Sequence, residues 1–410
     1  MPTHTCCRIC DCALPAPFLD LGVTPLANAF LSEPAEFTNE KSYPLAVTAC
    51  TECGLSQLTY TVPAETLYRD YVYVSSTSEG VRAHADSLAD NLIDRYGWGR
   101  ADRVVEIASN DGTVLQAFKR RGLEVLGIEP AANIAELAEA AGVPTVTAFF
   151  TEETGTDIAG RIGTAVGIVA RHVFAHVDDL HDFVRGAARL LDTDGVLLIE
   201  VPYLGNLFTD LEFDTVYHEH LSYVALEPVE RLMIMHDLRV TDIDRVSLHG
   251  GSVILHIRRA GAGVQPSDRL EAFRAEEQAR ALMSPVVLAE FAARVSAWRR
   301  EFETFVDELV SSGSRLVGYG AAAKANTLLN ACPGVARHLT AILDRSPHKH
   351  GRYTPGTHLR VEPVERWSEI NASHMLVLAW NFQDEIMRQM QPFADRGGRF
   401  VIPIPHPRVV

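Results

Sequence analysis

From residue 103 the chain follows a regular rhythm: a short apolar run, a turn, then a longer stretch with apolar positions three and four apart. RVVEIAS (103–109), EVLGIEP (124–130), PTVTAFF (144–150), AVGIVAR (165–171) and GVLLIEVPY (195–203) read as strands. GTVLQAFKRRG, NIAELAEAAG and DLHDFVRGAARLL read as the helices between them. Strands in a doubly covered parallel sheet are continuous apolar runs, and helices of this length form the crossovers. The pattern therefore predicts an α/β fold built on a parallel sheet wound on both faces. Two further β runs, VTDIDRVS and SVILHIRR, flank the turn His249–Ser252 and read as an antiparallel pair ending a sheet of six or seven strands.

Either side of this block the rhythm changes. Residues 1–70 are short strands and turns rich in Pro, Thr and Gly, and 79–97 is a helical stretch. Residues 265–312 read as helices with one buried face. A second α/β unit then opens at RLVGYGAAAKANTLLN and continues through LTAILDRSP, HMLVLAW and RFVIPIP. Three domains are expected: 1–70, 71–260 and 261–410, the last including the helical connector.

Composition narrows the function classes. Of 410 residues, 47% are hydrophobic and 22% charged, ordinary globular values that exclude disorder and a disulfide mini-scaffold. A net charge of −16 argues against a nucleic-acid-binding face, which rests on clustered cations. No apolar run reaches the ~18 residues of a membrane span, and MPTHTCCRICDC lacks an apolar leader core. The expectation is a soluble cytoplasmic protein with neither nucleic acid nor membrane as a partner.

Six of the seven cysteines fall within the first 53 residues. Cys7-x2-Cys10 and Cys50-x2-Cys53 form two knuckles, each presenting two thiolates to one ion, and four thiolates close a tetrahedral zinc shell. Such a shell has no open position for substrate, so this zinc is expected to be structural. Cys6 and Cys12 break the spacing.

Glu106-Ile107-Ala108-Ser109-Asn110-Asp111-Gly112 ends the first central strand and turns into a helix. A small-residue turn there lets a ligand approach backbone at the carboxyl edge of the sheet, and Glu129 closes the next strand where a carboxylate commonly takes two ribose hydroxyls. One glycine stands where a dinucleotide loop has three, which favours S-adenosylmethionine over NAD. The expected cofactor positions are Glu106, Ala108, Asn110, Asp111, Gly112, Glu129 and Pro130. After the strand GVLLIEVPY comes Tyr217-His218-Glu219-His220-Leu221-Ser222-Tyr223, a cluster suited to general acid–base work or to structural hydrogen bonding.

CRIC…PLANAFL…CTECG, EIASNDGTVL, HVFAHVDDLHDF, YHEHLSYV, HGGS, YGAAAKANTLLN and SPHKHGRYTPGT occur in that order. The ordered set resembles the sugar C-methyltransferases that act on nucleotide-linked 4-keto-6-deoxysugars in antibiotic pathways. The resemblance implies a zinc-binding N-terminal module, a central class I methyltransferase (Rossmann-like) domain that binds S-adenosylmethionine, and a second Rossmann-like C-terminal domain. It implies a dTDP-linked 4-ketosugar as substrate, methylated at C-3, with C-5 as the nearest alternative. The catalytic cluster it implies falls on Tyr71, His176, Tyr217, Glu219 and His220, with His220 as the base that removes the proton beside the ketone. Substrate contacts are expected from Tyr73, Ser75, Ser76, Tyr319, Lys324, Asn326, His348 and Lys349.

Gly318-Tyr319-Gly320-Ala321-Ala322-Ala323 is a GxGxxA loop followed by Asp344 at the end of LTAILD. Read alone, it points to NAD and a nucleotide-sugar oxidoreductase. The shortness of the domain, the cofactor loop already present in the central block, and Lys324 at the helix start where a diphosphate would lie count against that, and the resemblance implies that this domain holds the nucleotide diphosphate of the sugar donor.

Overall fold

The computed structural model describes residues 3–68, 74–77, 79–246 and 251–410, which form three sheets. The first is antiparallel, in the order Leu19–Pro25, Ser42–Ala49, Ser56–Leu58, Ser222–Tyr223. Its fourth strand is not N-terminal at all: it is the end of the YHEHLSY segment, so the small N-terminal sheet is completed by the central part of the chain.

The central sheet runs Leu238–Val246, Ser252–Arg259, Leu191–Pro202, Ala165–Arg171, Arg103–Ile107, Glu124–Ile128, Thr145–Val146 from edge to edge. Its last five strands are parallel, and the first two form the expected antiparallel pair. Numbered along the chain this is 3-2-1-4-5-7-6, the doubly wound order with an antiparallel seventh strand inserted. The order reverses between Arg103–Ile107 and Ala165–Arg171, which opens a crevice at their carboxyl ends.

The connector is two helices, Asp268–Arg280 and Pro285–Ser311, started by Ser267 and Ser284, whose side chains accept from the backbone N–H groups of Leu270 and Val287. Phe291, Val295, Trp298, Phe302 and Val306 recur at helical spacing along the buried face of the second. The C-terminal sheet runs Val361–Pro363, Leu339–Asp344, Leu316–Tyr319, His374–Val377, Arg399–Ile402, Arg408–Val409, parallel except for the last strand. One apolar core extends from Cys7 and Cys53 through the central sheet and the connector to Leu376.

Two local expectations change. Only Thr145–Val146 of PTVTAFF pairs as strand. The polar segment after it, which has no strong apolar stripe, forms the helix Glu152–Ile162, with the Thr151 side chain accepting from Thr154 N. It packs on the helix Leu180–Leu190 through Gly155, where a Cβ would lie 2.4 Å from the carbonyl oxygen of Gly186. Close backbone approach at Gly155, together with the buried Ile158, makes this helix fit. His249 and Gly250 of the turn lie outside the described residues.

Candidate active site

The first loop turns sharply at the crevice. Ala108, Asn110 and Gly112 all have positive φ, at 54°, 50° and 75°, so the backbone coils tightly between strand and helix. A Cβ on Gly112 would meet Val143 at 2.9 Å, so glycine is required there by space as well as by φ. Glu129 pins this turn: its carboxylate accepts from Asn110 N at 2.9 Å and from Ala131 N at 3.0 Å. Pro130 separates Glu129 from that second donor. Asn110 and Asp111 reach across the loop mouth, accepting from Ser75 N and Ser76 N at 2.9 Å each. The segment expected to touch substrate is thus docked on the cofactor loop.

Behind the loop lies an excess of acid. Glu106 is buried, and its Oε2 has no hydrogen-bond partner among the described residues. Burial raises its pKa well above the ordinary value; Arg171 opposes that, and Asp111, Glu129 and Glu200 reinforce it. Glu200 is better served, with Arg171 Nε at 2.7 Å and His84 Nε2 at 3.0 Å.

The histidine cluster stands at the same edge. His220 is held from both sides: Nδ1 lies 2.8 Å from the carbonyl oxygen of Thr215, and Nε2 lies 2.8 Å from the Tyr217 hydroxyl. A carbonyl only accepts, so Nδ1 carries the proton and Nε2 is the bare nitrogen, accepting from Tyr217. Burial, with His176 nearby, drives the His220 pKa well below its usual value, so the ring is neutral. The His176 ring lies 4.9 Å from that of His220, edge to face. Burial lowers its pKa to about 4, and the Tyr68 hydroxyl sits 2.7 Å from its Nδ1. Glu219 is buried too, which raises its pKa to about 7 despite a 2.7 Å hydrogen bond from Asn28 Nδ2 to Oε1. His218 faces away, with Nε2 at 3.3 Å from the Tyr43 carbonyl oxygen. Tyr71 and Tyr73 lie outside the described residues.

The structure brings His176, Tyr217, Glu219 and His220 together, and adds Tyr68 and Asn28. Lone tyrosines and asparagines carry no pattern of their own. The one signal for Asn28 is its place in PLANAFL.

The C-terminal edge is differently arranged. Lys324 Nζ sits 3.8 Å from Glu212 Oε2, 3.7 Å from Asp214 Oδ1 and 4.3 Å from the centre of the Trp380 ring. Trp380 Nε1 donates to Asp214 Oδ2 at 2.7 Å. Asn326 Nδ2 donates to the Ala27 carbonyl oxygen, holding the PLANAFL loop, while its buried Oδ1 has no partner among the described residues. Tyr319 points into the apolar core of its own sheet, its hydroxyl donating to Gln389. Lys349 Nζ donates to the Ala321 carbonyl oxygen at 2.8 Å; His348 is exposed. Asp344 accepts from Ala321 N and Ser346 N at 2.7 Å each, closing the GxGxxA loop as Glu129 closes the first one.

In the N-terminal module, the sulfur atoms of Cys7, Cys10, Cys50 and Cys53 all lie within 4.8 Å of one another. Cys7 and Cys53 sulfurs are 3.4 Å apart, as are those of Cys10 and Cys50. A tetrahedral ion with ~2.3 Å bonds needs sulfurs about 3.8 Å apart, so the donor set and its spacing fit zinc. Cys6 and Cys12 lie outside the cluster.

Known proteins match over this whole arrangement. C-methyltransferase NovU of Streptomyces niveus is 34% identical over 404 residues, covering 98% of this chain and 96% of that protein. The chain belongs to the C-methyltransferases. Family models agree along its length: a zinc-binding domain at residues 7–68, a methyltransferase domain at 81–243 and a C-methyltransferase C-terminal domain at 247–405. Solved structures give weaker likenesses. Magnesium protoporphyrin IX methyltransferase from Synechocystis PCC 6803 with bound S-adenosylmethionine is 14% identical, covering 44% of this chain and 80% of that one, with a TM-score of 0.33. The mitomycin 7-O-methyltransferase MmcR is 20% identical, covering 45% and 55%, with a TM-score of 0.34. The sheet order of the C-methyltransferase stands without them.

S-adenosylmethionine is the methyl donor of this C-methyltransferase, and zinc its structural ion. The loop fits the donor on its own terms. The carboxyl groups of Glu106, Asp111, Glu129 and Glu200 gather about the loop with Arg171 among them, so a ligand carrying a sulfonium and an ammonium would meet acceptors and acids that its charge helps to ionise. Glu129 has two oxygens with lone pairs beyond the two that its amides use, enough for ribose hydroxyls. No single helix among the described residues is long and apolar enough to cross a membrane.

Proposed function

We propose that this C-methyltransferase methylates C-3 of a dTDP-linked deoxysugar, beside its 4-keto group, as a soluble cytoplasmic enzyme of antibiotic biosynthesis. Forming a carbon–carbon bond to a methyl electrophile requires a carbon that carries an electron pair. A C–H next to a ketone supplies one when a base takes the proton and the oxygen is stabilised. The observation that carries the reading is the bare Nε2 of a half-buried, neutral His220, its tautomer set by the Thr215 carbonyl.

S-adenosylmethionine supplies the electrophilic methyl. His220 Nε2 takes the C-3 proton, and the Tyr217 hydroxyl that caps it turns to the developing enolate oxygen. His176, oriented by Tyr68, is the second group beside that oxygen. Glu219, held by Asn28, fixes the segment between the two imidazoles. The buried Glu219 and the two half-buried imidazoles leave little room for water beside the enolate. The nucleotide end of the sugar is assigned to the C-terminal edge, near Lys324, Asn326, His348 and Lys349, with the side chain of Tyr319 turned into its own core and not available for contact, and Tyr71, Tyr73, Ser75 and Ser76 to the cover of the cleft.

The test is incubation with S-adenosylmethionine carrying a ¹³C methyl group and a panel of dTDP-4-ketosugars, followed by NMR. The reading expects one new methyl on C-3 with the ketone retained. A methyl on oxygen or on C-5 would overturn the assignment.

A further inference from the structure

One side chain of the zinc knuckle touches both loops that carry the catalytic histidines. Arg8 lies between Cys7 and Cys10 in sequence. Its Nη1 donates to the carbonyl oxygens of Val177 at 2.7 Å and Asp178 at 3.2 Å, the two residues that directly follow His176. Its Nη2 donates to the Leu221 carbonyl oxygen and to Ser222 Oγ, both at 2.6 Å, the two residues that directly follow His220. The Arg8 side chain is 6% exposed, and its nearest carboxylate, Asp178, stands 4.0 Å off. A guanidinium is thus buried among neutral acceptors, an arrangement that costs desolvation and stands only while the fork satisfies all of them.

The knuckle that carries this fork is fixed independently. Arg8 N donates to Gln57 Oε1 at 3.0 Å, and the thiolate cluster pins the residues on either side. Elsewhere the two loops meet where Leu221 N donates to the Ala175 carbonyl oxygen at 2.7 Å. The guanidinium adds a second tie, at Val177 and Asp178 on one loop and at Leu221 and Ser222 on the other, and two ties fix an orientation where one leaves a hinge.

We propose that Arg8 is a positioning residue for C-methylation: its planar fork clamps the segment after His176 to the segment after His220 and so sets the approach of the two imidazoles. This gives the zinc module a role in the reaction without any contact to substrate. The inference rests on reading His220 as the base.

Arg8→Lys keeps the charge but offers a single ammonium that cannot span both pairs of acceptors. It is expected to bind zinc and S-adenosylmethionine as the wild type does. Its ¹⁵N ring signals of His176 and His220 should move from their wild-type positions. With a dTDP-4-keto-6-deoxyhexose, kcat should fall about 10²-fold with KM nearly unchanged, the penalty of misplaced catalytic groups. Ser222→Ala removes one acceptor without touching the knuckle, and should lower kcat less, in the same direction, at full zinc content. Wild-type ring signals and wild-type kcat in the zinc-loaded variants would overturn the clamp, and if Arg8→Lys fails to fold, Ser222→Ala alone decides by the same criteria. Proton exchange separates this from failure of the base assignment. If His220→Asn still exchanges the sugar proton, the base reading fails. If His220→Asn stops exchange while Arg8→Lys and Ser222→Ala exchange at the wild-type rate, only the clamp fails.

Discussion

Replacing Glu219 with glutamine should make the protein less sensitive to rising pH. Glu219 is buried and accepts one hydrogen bond, from Asn28 Nδ2 to Oε1, an acceptor that glutamine keeps. Burial, opposed by Asn28, lifts its pKa from the ordinary glutamate value of 4.5 to about 7. The folded protein therefore holds this proton more tightly than the unfolded chain does. Stability from this group is fully present below the unfolded pKa and is lost as pH rises through the folded one. At ~1.4 kcal/mol per tenfold change in proton affinity, ionising Glu219 in place costs about 3 kcal/mol, most of it incurred between about pH 5 and pH 8. Glu212, lifted to about 7 chiefly by burial, titrates in the same window but is present in both proteins, so the difference isolates Glu219. Denaturant unfolding at several pH values should show Glu219→Gln gaining about 2–3 kcal/mol on the wild type across that range. Curves that stay parallel would refute the claim that the fold holds this carboxyl protonated.

Three further outcomes follow from the same structure. Cys50→Ser removes one of four sulfur ligands, so zinc content should drop and the shared core that includes Cys50 should unfold more readily; metal analysis and thermal melting check this, and wild-type zinc content would contradict it. Glu129→Ala takes away the acceptor for Asn110 N and Ala131 N, so calorimetry should show S-adenosylmethionine binding weakened by roughly tenfold or more with the fold intact; unchanged affinity would remove the role. Tyr68→Phe deletes the 2.7 Å partner of His176 Nδ1 and should lower kcat by about tenfold with little change in KM; a wild-type kcat would show that this hydroxyl does not orient the imidazole.

The parts legible in the sequence are those with a local pattern. Paired CxxC spacings announce a four-sulfur cluster, and alternating apolar runs and helices announce both doubly wound sheets. The positions of Glu106, Glu129, His176, Tyr217, Glu219 and His220 at one sheet edge follow from the rule that such sheets carry their chemistry at strand carboxyl ends. What stays hidden is long-range. Ser222–Tyr223 completes the N-terminal sheet, a pairing no short window contains. Arg8, Asn28 and Tyr68, the last at the end of the short helix Ala64–Tyr68, reach the cluster or its flanks from the zinc module, and each is an ordinary residue until the chain folds back. The helix Glu152–Ile162 escapes notice because its apolar stripe is short, centred on Ile158, and glycine-to-backbone contact supplies much of its seat. Lys324 stands at a helix start, as a phosphate-binding cation would, yet its charge meets Glu212 and Asp214 from a distant part of the chain.

The central claim is that His220 removes the proton beside the ketone, and it can be watched apart from methyl transfer. The enzyme is incubated in heavy water with a dTDP-4-keto-6-deoxyhexose and S-adenosylhomocysteine in place of the methyl donor, and deuterium at C-3 is followed by NMR. Wild type should wash deuterium in, while His220→Asn, which cannot take a proton but still fills the site beside Thr215 and Tyr217, should slow exchange by about 10²–10⁴-fold with both ligands still bound. Exchange at the wild-type rate in His220→Asn would contradict the account and move the base to His176 or Tyr217.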